Sequence, residues 1–455
     1  MATVGINFGS ATSGTGFDVA STVTAILAVT SAIETPWKKQ ITNLQSQDTA
    51  LTKIGTDLAT LSSAVTPFTN FDGVFSNKLG SSSATNILTL TGAGSSSTAG
   101  SHTIEVMKLA TTSSIYSDEV TNASDTLSGS VSLQVGSSSA QVIAIDSTNN
   151  TLTTLAATIN SGSYGITASV VTDTVGSRLL LVSNTSGSAG KISLGGGVKD
   201  TTASKTVGFT VGQTAANAEL TVDGLVTTSA SNTVTGAIPG VTFQLLSADA
   251  GTSVQVQVTN DNSSVVTAAQ TLVKAYNAVV ADLKVQTGKD STGASQPLYG
   301  SPILSQLQSE LSSSLFGGKA VGSVSSIQQL GITVNPDGTL ALSNSTLLMA
   351  LNAHYSDTVG FFQNTDSFGQ ALTSILNGLG TSSSQSVISL AQTQNTSVEA
   401  SLNLNVTNEE ALIATEKTSL TAQLNTANQE LQSIPQQILE INQIYSAITG
   451  YNQQK

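Results

Sequence analysis

Two apolar stripes with helical spacing, one near each end, constrain this chain more than any other feature. Towards the C-terminus, Leu420, Leu424, Ala427, Leu431, Ile434, Ile438, Ile441, Tyr445 and Ile448 recur with gaps that alternate between four and three. That rhythm is a heptad seam, the pattern of a helix that wraps around a partner helix. Towards the N-terminus, Trp37, Leu44, Leu51, Leu58 and Val65 repeat every seven residues, and Ile41, Ile54 and Leu61 widen the stripe. The second stripe drifts where Asp48 and Gly55 fall. A chain with a seam at each end is built to join its ends to each other or to identical neighbours. It reads as a part of an assembly before it reads as a freestanding enzyme.

Composition sharpens that reading. The 455 residues allow roughly three domains, and only 9% are charged against about 25% in an ordinary soluble protein. The surface is therefore wetted mainly by Ser, Thr, Asn and Gln, as suits an exported β-rich protein. Net charge is −13, with no basic run. Clustered Lys and Arg supply most nucleic-acid affinity and attraction to anionic membranes, so the expected partners include neither. Cysteine is absent, which excludes disulfides, thiolate metal sites and Cys nucleophiles. No secretory signal pattern is visible, because the first lysine is Lys38. The apolar stretch Val19 to Ile33 is too short and too polar to span a bilayer. Export without a cleaved signal peptide is the expectation.

The order of segments is helix, strand, helix. Residues 1–15 lack periodicity and are expected to be disordered when free. Asp18 can cap a first amphipathic helix through Val19, Val23, Ile26 and Leu27. Thr35-Pro36 marks a sharper helix start, and that helix is expected to end before Pro67 after roughly thirty residues, or about 45 Å. From about 75 to 260, short alternating runs are punctuated by Gly, Ser and Asn. Examples are Thr103-Ile104-Glu105-Val106, Val131-Ser132-Leu133-Gln134-Val135 and Val254-Gln255-Val256-Gln257-Val258. They predict antiparallel, sandwich-like sheet, interrupted by one short helix at Leu152, Leu155, Ala156 and Ile159. Helical spacing returns at Val266 to Leu283 and after Ser301-Pro302. A hairpin turning at Asn335-Pro336-Asp337-Gly338 follows. A helix over 345–362 and a polar linker from Thr381 to Ser386 then lead to the terminal seam.

The predicted fold is therefore α+β and multidomain, with terminal coiled-coil segments and inserted antiparallel β-sandwich-like domains. Residues 1–35 are a disordered and helical terminal segment. Residues 36–74 with 262–385 form a helical bundle plus hairpin, and 75–118 with 214–261 an inner β domain. Residues 119–213 form an inserted outer β domain, and 386–455 the C-terminal coiled-coil helix.

Several ordered blocks carry a family resemblance. Gly16-Phe17-Asp18-Val19 is followed by Val23, Ile26-Leu27, Glu34 and Pro36. Thr151-Leu152, then Leu155 through Asn160, Gly165 through Val170 and Ser177-Arg178-Leu179 look like a repeat inserted in flagellins and cap proteins. The most specific blocks are Val222-Asp223-Gly224, Ser231 through Val234, Ile238-Pro239-Gly240 through Leu245, Asn260-Asp261 and Val273-Lys274-Ala275-Tyr276-Asn277. Leu330 through Thr333 and Asp337 through Leu340 complete the set. Together they resemble the flagellar hook-associated protein 2 family, the filament cap proteins of bacterial flagella. The resemblance implies a non-enzymatic assembly factor at the distal tip. Such a factor would form a ring of roughly four to six subunits, promote folding and polymerisation of exported flagellin, and pass through the flagellar export machinery. One departure concerns charge: Asn428, Gln437 and Asn442 flank the seam where family members often carry ions. Partner choice by charged e/g pairs is therefore not the expectation here.

Chemistry is sparse. The two histidines, His102 and His354, are too few for a histidine metal site, and neither H-E-x-x-H nor EF-hand spacing occurs. Gly195-Gly196-Gly197 and Gly317-Gly318-Lys319 lack phosphate-loop spacing and read as turns. No catalytic, metal or cofactor residue is predicted, and no cofactor is expected. The predicted site is a packing surface: Trp37, Leu44, Leu51 and Leu58 with Leu424, Leu431, Ile438 and Tyr445 form self-associating legs, with a hinge at Pro435. The alternative function is a surface adhesin or glycan-binding β-protein.

Overall fold

The structure, a computed structural model, describes residues 13–450. Most of the segment expected to be disordered, residues 1–12, lies outside the described residues. Within them, 13–69 with 268–450 form one compact unit and 70–267 another.

The first unit opens with α1 (Val19–Ser31) and α2 (Glu34–Thr69). Asp18 caps α1, accepting the Ser21 N–H at 3.1 Å and its hydroxyl at 2.6 Å. α2 starts at Glu34 and runs through Pro67, where it was expected to stop. Pro67 forfeits one hydrogen bond, but only two residues of helix remain beyond it. Phe68 is buried there, with its ring centroid 4.8 Å from that of Phe362, and unpacking it costs more than the missing bond.

The second unit is antiparallel throughout. Its elements in order are β1 (Lys78–Ser82), β2 (Leu88–Ala93), β3 (Gly100–Lys108), β4 (Thr112–Ser117), β5 (Leu127–Val135), β6 (Gln141–Ile145), α3 (Leu152–Ser161), β7 (Ile166–Thr172) and β8 (Ser177–Ser186). β9 (Ile192–Asp200), β10 (Lys205–Val207), β11 (Phe209–Gln213), β12 (Ala218–Val222), β13 (Leu225–Ser229), β14 (Thr233–Ile238), β15 (Val241–Leu245) and β16 (Val254–Asn260) follow. The sheet order β1-β16-β3-β12-β13 faces β14-β15-β2 across one core that includes Ile104, Leu220, Val256 and Phe243. The orders β10-β9-β5-β6 and β11-β4-β8-β7 share a second core with α3, which contributes Leu152, Leu155 and Ile159. Alternation is the cause: along β16, Val254, Val256 and Val258 are buried while Gln255 and Gln257 are exposed. Thr151 and Thr154 start α3 with a reciprocal capping box.

The chain then enters α4 (Asn262–Gln286) and α5 (Pro302–Ser314), the latter with Ser301 at the cap position and proline first in the helix. The hairpin is β17 (Ile332–Val334) with β18 (Leu340–Leu342). The helix expected over 345–362 is two, α6 (Asn344–Ala353) and α7 (Tyr355–Gln363). They break at His354, whose backbone leaves the helical region at φ −138° and ψ 46°. The break lets α6 bury Leu347 and Leu351 while α7 turns Phe361 and Phe362 into a ring cluster with Phe68 and Phe368. α8 (Phe368–Leu379) follows, capped by Ser367, a helix the sequence reading passed over. Ser386, at the end of the expected polar linker, is buried and donates to the Ser383 carbonyl at 2.7 Å. α9 (Val387–Thr449) is one continuous helix of 63 residues that passes through Pro435.

Candidate functional site: the paired terminal helices

α2 and then α1 run antiparallel to α9, and four polar contacts give the register. Gln392 donates to the Thr52 hydroxyl at 2.9 Å, and Asn395 to the Asp48 carboxylate at 2.7 Å. Further along, Lys38 donates to Glu410 at 3.0 Å, and the Phe17 N–H to the Asn428 side-chain oxygen at 2.8 Å. Partner numbers fall as α9 rises, so one helix spans both N-terminal helices.

The two drifting positions of the N-terminal stripe belong to this interface. Asp48 takes the Asn395 amide. Gly55 is buried where a Cβ would sit 3.0 Å from the Thr381 methyl. Gly16, at φ +66°, lies where any side chain would meet Asn428. Asp48, Gly55 and Asn428 stand out in the sequence as departures from a regular charged seam, but their roles are set by these contacts.

Apolar cover is graded. Leu51 and Leu58 are fully buried together with Ile54, Leu61 and Val65, and Ile388, Ala391, Leu402 and Val406 are buried on α9. Trp37 and Leu44 are half-buried. Leu424 and Leu431 are half-buried too, on the part of α9 where α1 buries Val23 and Leu27. Past Pro435 the seam is open: Ile438 is 40% and Tyr445 51% exposed, and Leu439, Ile441, Ile444 and Ile448 are exposed beside them. The structure thus brings Leu51 and Leu58 into an internal core. It does not cover Ile438 or Tyr445.

Two charge clusters clasp the helices. Lys38 bridges Glu34 at 2.6 Å and Glu410 at 3.0 Å, and its ammonium is held above its usual pKa by Glu34 first and Glu410 second. Glu34 is 6% exposed, and its Oε1 is sealed with no hydrogen-bond partner among the described residues. Its place in the first turn of α2 offsets part of that burial, since helix N-termini favour negative charge. The second cluster joins α2 to α4: Lys53 contacts Asp57 at 3.2 Å and also bonds Asp282. Burial, and then the hydrogen bond with Asp282, pushes the Asp57 carboxyl up. Burial works on Asp282 in the same direction, but its bonds with Asp57 and Lys53 outweigh it and hold Asp282 low. Asp57 is the member that takes a proton first.

Among the described residues, no group of three or more His, Cys, Asp or Glu could hold a metal ion, and no single helix is long and apolar enough to cross a membrane. His102 lies 2.7 Å from Asp223 at the β12–β13 turn, and His354 lies 3.9 Å from Asp357. The first pair, with the Thr103 N–H donating to Asp223 at 2.8 Å, ties the β12–β13 turn to β3.

Comparison with known proteins matches this architecture. Residues 15–113 match the family model of the flagellar hook-associated protein 2 N-terminus, and residues 215–447 that of its C-terminus. The chain is 32% identical over 343 residues to the B-type flagellar hook-associated protein 2 of Pseudomonas aeruginosa, covering 69% of this chain and 72% of that one. It is 30% identical over 368 residues to flagellar hook-associated protein 2 of Escherichia coli K12, covering 74% and 76%. The crystal structure of the D1-D2-D3 domains of the E. coli flagellar cap protein FliD superposes with a TM-score of 0.59 at 25% identity, covering 76% of this chain and 99% of that one. With helices at both ends, antiparallel sheets between them and both family models in order, this chain belongs to the flagellar hook-associated protein 2 family, the flagellar cap proteins.

Proposed function

We propose that the protein caps the distal tip of the flagellar filament as a homo-oligomeric ring, and there promotes folding and polymerisation of exported flagellin. The paired terminal helices are the legs of each subunit. Trp37, Leu44, Leu51 and Leu58 pack α2 in each leg, Leu424 and Leu431 pack the part of α9 beside α1, and Ile438 with Tyr445 continues the surface towards a neighbour. The observation that carries this reading is the uncovered apolar seam of α9 beyond Pro435. Exposed apolar surface of that length has no role in an isolated chain and gains free energy only when covered, at about 25 cal/mol per Å². The scarcity of flanking charge fits contacts made by shape and apolar burial.

The test is the solution mass and filament-capping activity of the full chain beside an Ile438→Ser, Tyr445→Ser double variant and a deletion of residues 1–35. The expected outcome is an oligomeric wild type that supports filament growth. The variants shift towards monomer and lose capping, while the circular dichroism of the sheets is retained. A wild type that stays monomeric without binding flagellin, or a truncated chain that still supports growth, overturns the reading.

A further inference from the structure

The helical unit holds a cavity of about 320 Å³ between α4, α5 and the β17–β18 turn, within the range of small-ligand sites. Its apolar wall is Val280, Leu283 and Leu311, and its polar groups include Tyr276, Lys284 and Asp337. Tyr276 is only 2% exposed, and its hydroxyl has no hydrogen-bond partner among the described residues. Tyr276 lines the cavity. Burial pushes this phenol up to about 12, which keeps it a donor at any physiological pH.

Lys284 stands in the last turn of α4 and makes no ion pair among the described residues. Asp337 accepts the Thr339 hydroxyl at 2.6 Å and its N–H at 3.1 Å, both on Oδ1. Those bonds first, and the charge of Lys284 after them, keep the Asp337 carboxyl below its ordinary range. The cavity therefore sets Tyr276, Lys284 and Asp337, together with Thr287, Gln308 and Ser312, against an aliphatic wall. A ligand carboxylate that accepts from the Tyr276 hydroxyl and the Lys284 ammonium would gain hydrogen bonds to charged groups, the stronger kind.

We propose that this cavity binds an aliphatic α-carboxylate, with its side chain between Val280, Leu283 and Leu311, its carboxylate on the Tyr276 hydroxyl and the Lys284 ammonium, and its adjacent N–H on Asp337. Two sources carry that chemistry: a free aliphatic amino acid, or the last residue of a polypeptide, recognised by capture of its terminal carboxylate.

Calorimetric titration of the full chain with leucine, N-acetyl-leucine, alanyl-alanyl-leucine and the C-terminal amide of that tripeptide separates them. Saturation by the acetylated and tripeptide probes assigns a polypeptide end, and saturation by leucine alone assigns the free amino acid. In either case Tyr276→Phe and Lys284→Gln each weaken binding about tenfold, the loss expected for a hydrogen bond to a charged group. Absence of saturable binding by any probe up to about 10 mM, which is weaker than specific sites of this kind, overturns the proposal. So does equal binding of the tripeptide and its amide, a comparison that uses only the unaltered protein and needs no variant to fold.

Discussion

Leu58 and Tyr445 hold similar places in their stripes, yet one is sealed and the other is half open. The difference lies in what surrounds them: α2 has α8 and α9 against it, whereas at the end of α9 Ile441, Ile444 and Ile448 are as exposed as Tyr445. Asp57 shows a similar dependence on context. Its carboxyl, raised by burial, favours the folded state below its ordinary pKa, and that contribution is lost as pH rises through the elevated value. Asp282, held low, behaves oppositely: it contributes above its ordinary pKa and loses the contribution as pH falls through the lowered one. Asp57→Asn removes the unfavourable ionisation while keeping a donor for Asp282. It should stabilise the protein at pH 7 by about 1 kcal/mol or less, with the gain closing near about pH 3. Urea unfolding at both pH values checks this, and a variant less stable at pH 7 would show that the Lys53 pairing dominates.

At the scale of elements, most starts were legible because their signals are local. Asp18 and Ser301 precede α1 and α5 as their chemistry predicts. Ends and breaks were less legible, because tertiary packing decides them. Pro67 does not stop α2, since Phe68 must be buried, and His354 breaks a run of otherwise helical residues so that two faces can be buried. α8 carries a clear signal in Ser367, Phe368, Leu372, Leu376 and Leu379, which could have been found from spacing alone. Pro435 differs: it sits inside a helix that continues past it. Pro435→Ala restores a hydrogen bond to the Leu431 carbonyl and should raise the helicity of a peptide spanning residues 418–450. The gain is up to about 3 kcal/mol of local helix stability. Unchanged circular dichroism would mean that neighbouring packing, not proline, limits this segment.

At the scale of the molecule, each β core is drawn entirely from residues between 84 and 258. A fragment of residues 70–267 is therefore expected to fold alone, with a β-type circular dichroism spectrum and a cooperative thermal transition. A fragment without that transition would mean that the sheets depend on the helical unit. The helical unit has the opposite design, since α2 and α9 come from opposite ends of the chain and meet only after the intervening residues have folded back.

Period-two and heptad patterns, cap residues and turn chemistry determined by themselves the order of helical and strand segments apart from α8 and the α6–α7 break, because those signals act over a few residues. They also carried the family resemblance, which rests on ordered local blocks. Only the tertiary structure decided how the terminal stripes are used. Whether Lys38 meets Glu410, whether Asp48 meets Asn395 and whether a given leucine is covered depend on contacts between residues hundreds of positions apart. No local pattern records such contacts. Burial is a property of neighbours, and for this chain the neighbours are set when α9 folds back along α2 and α1.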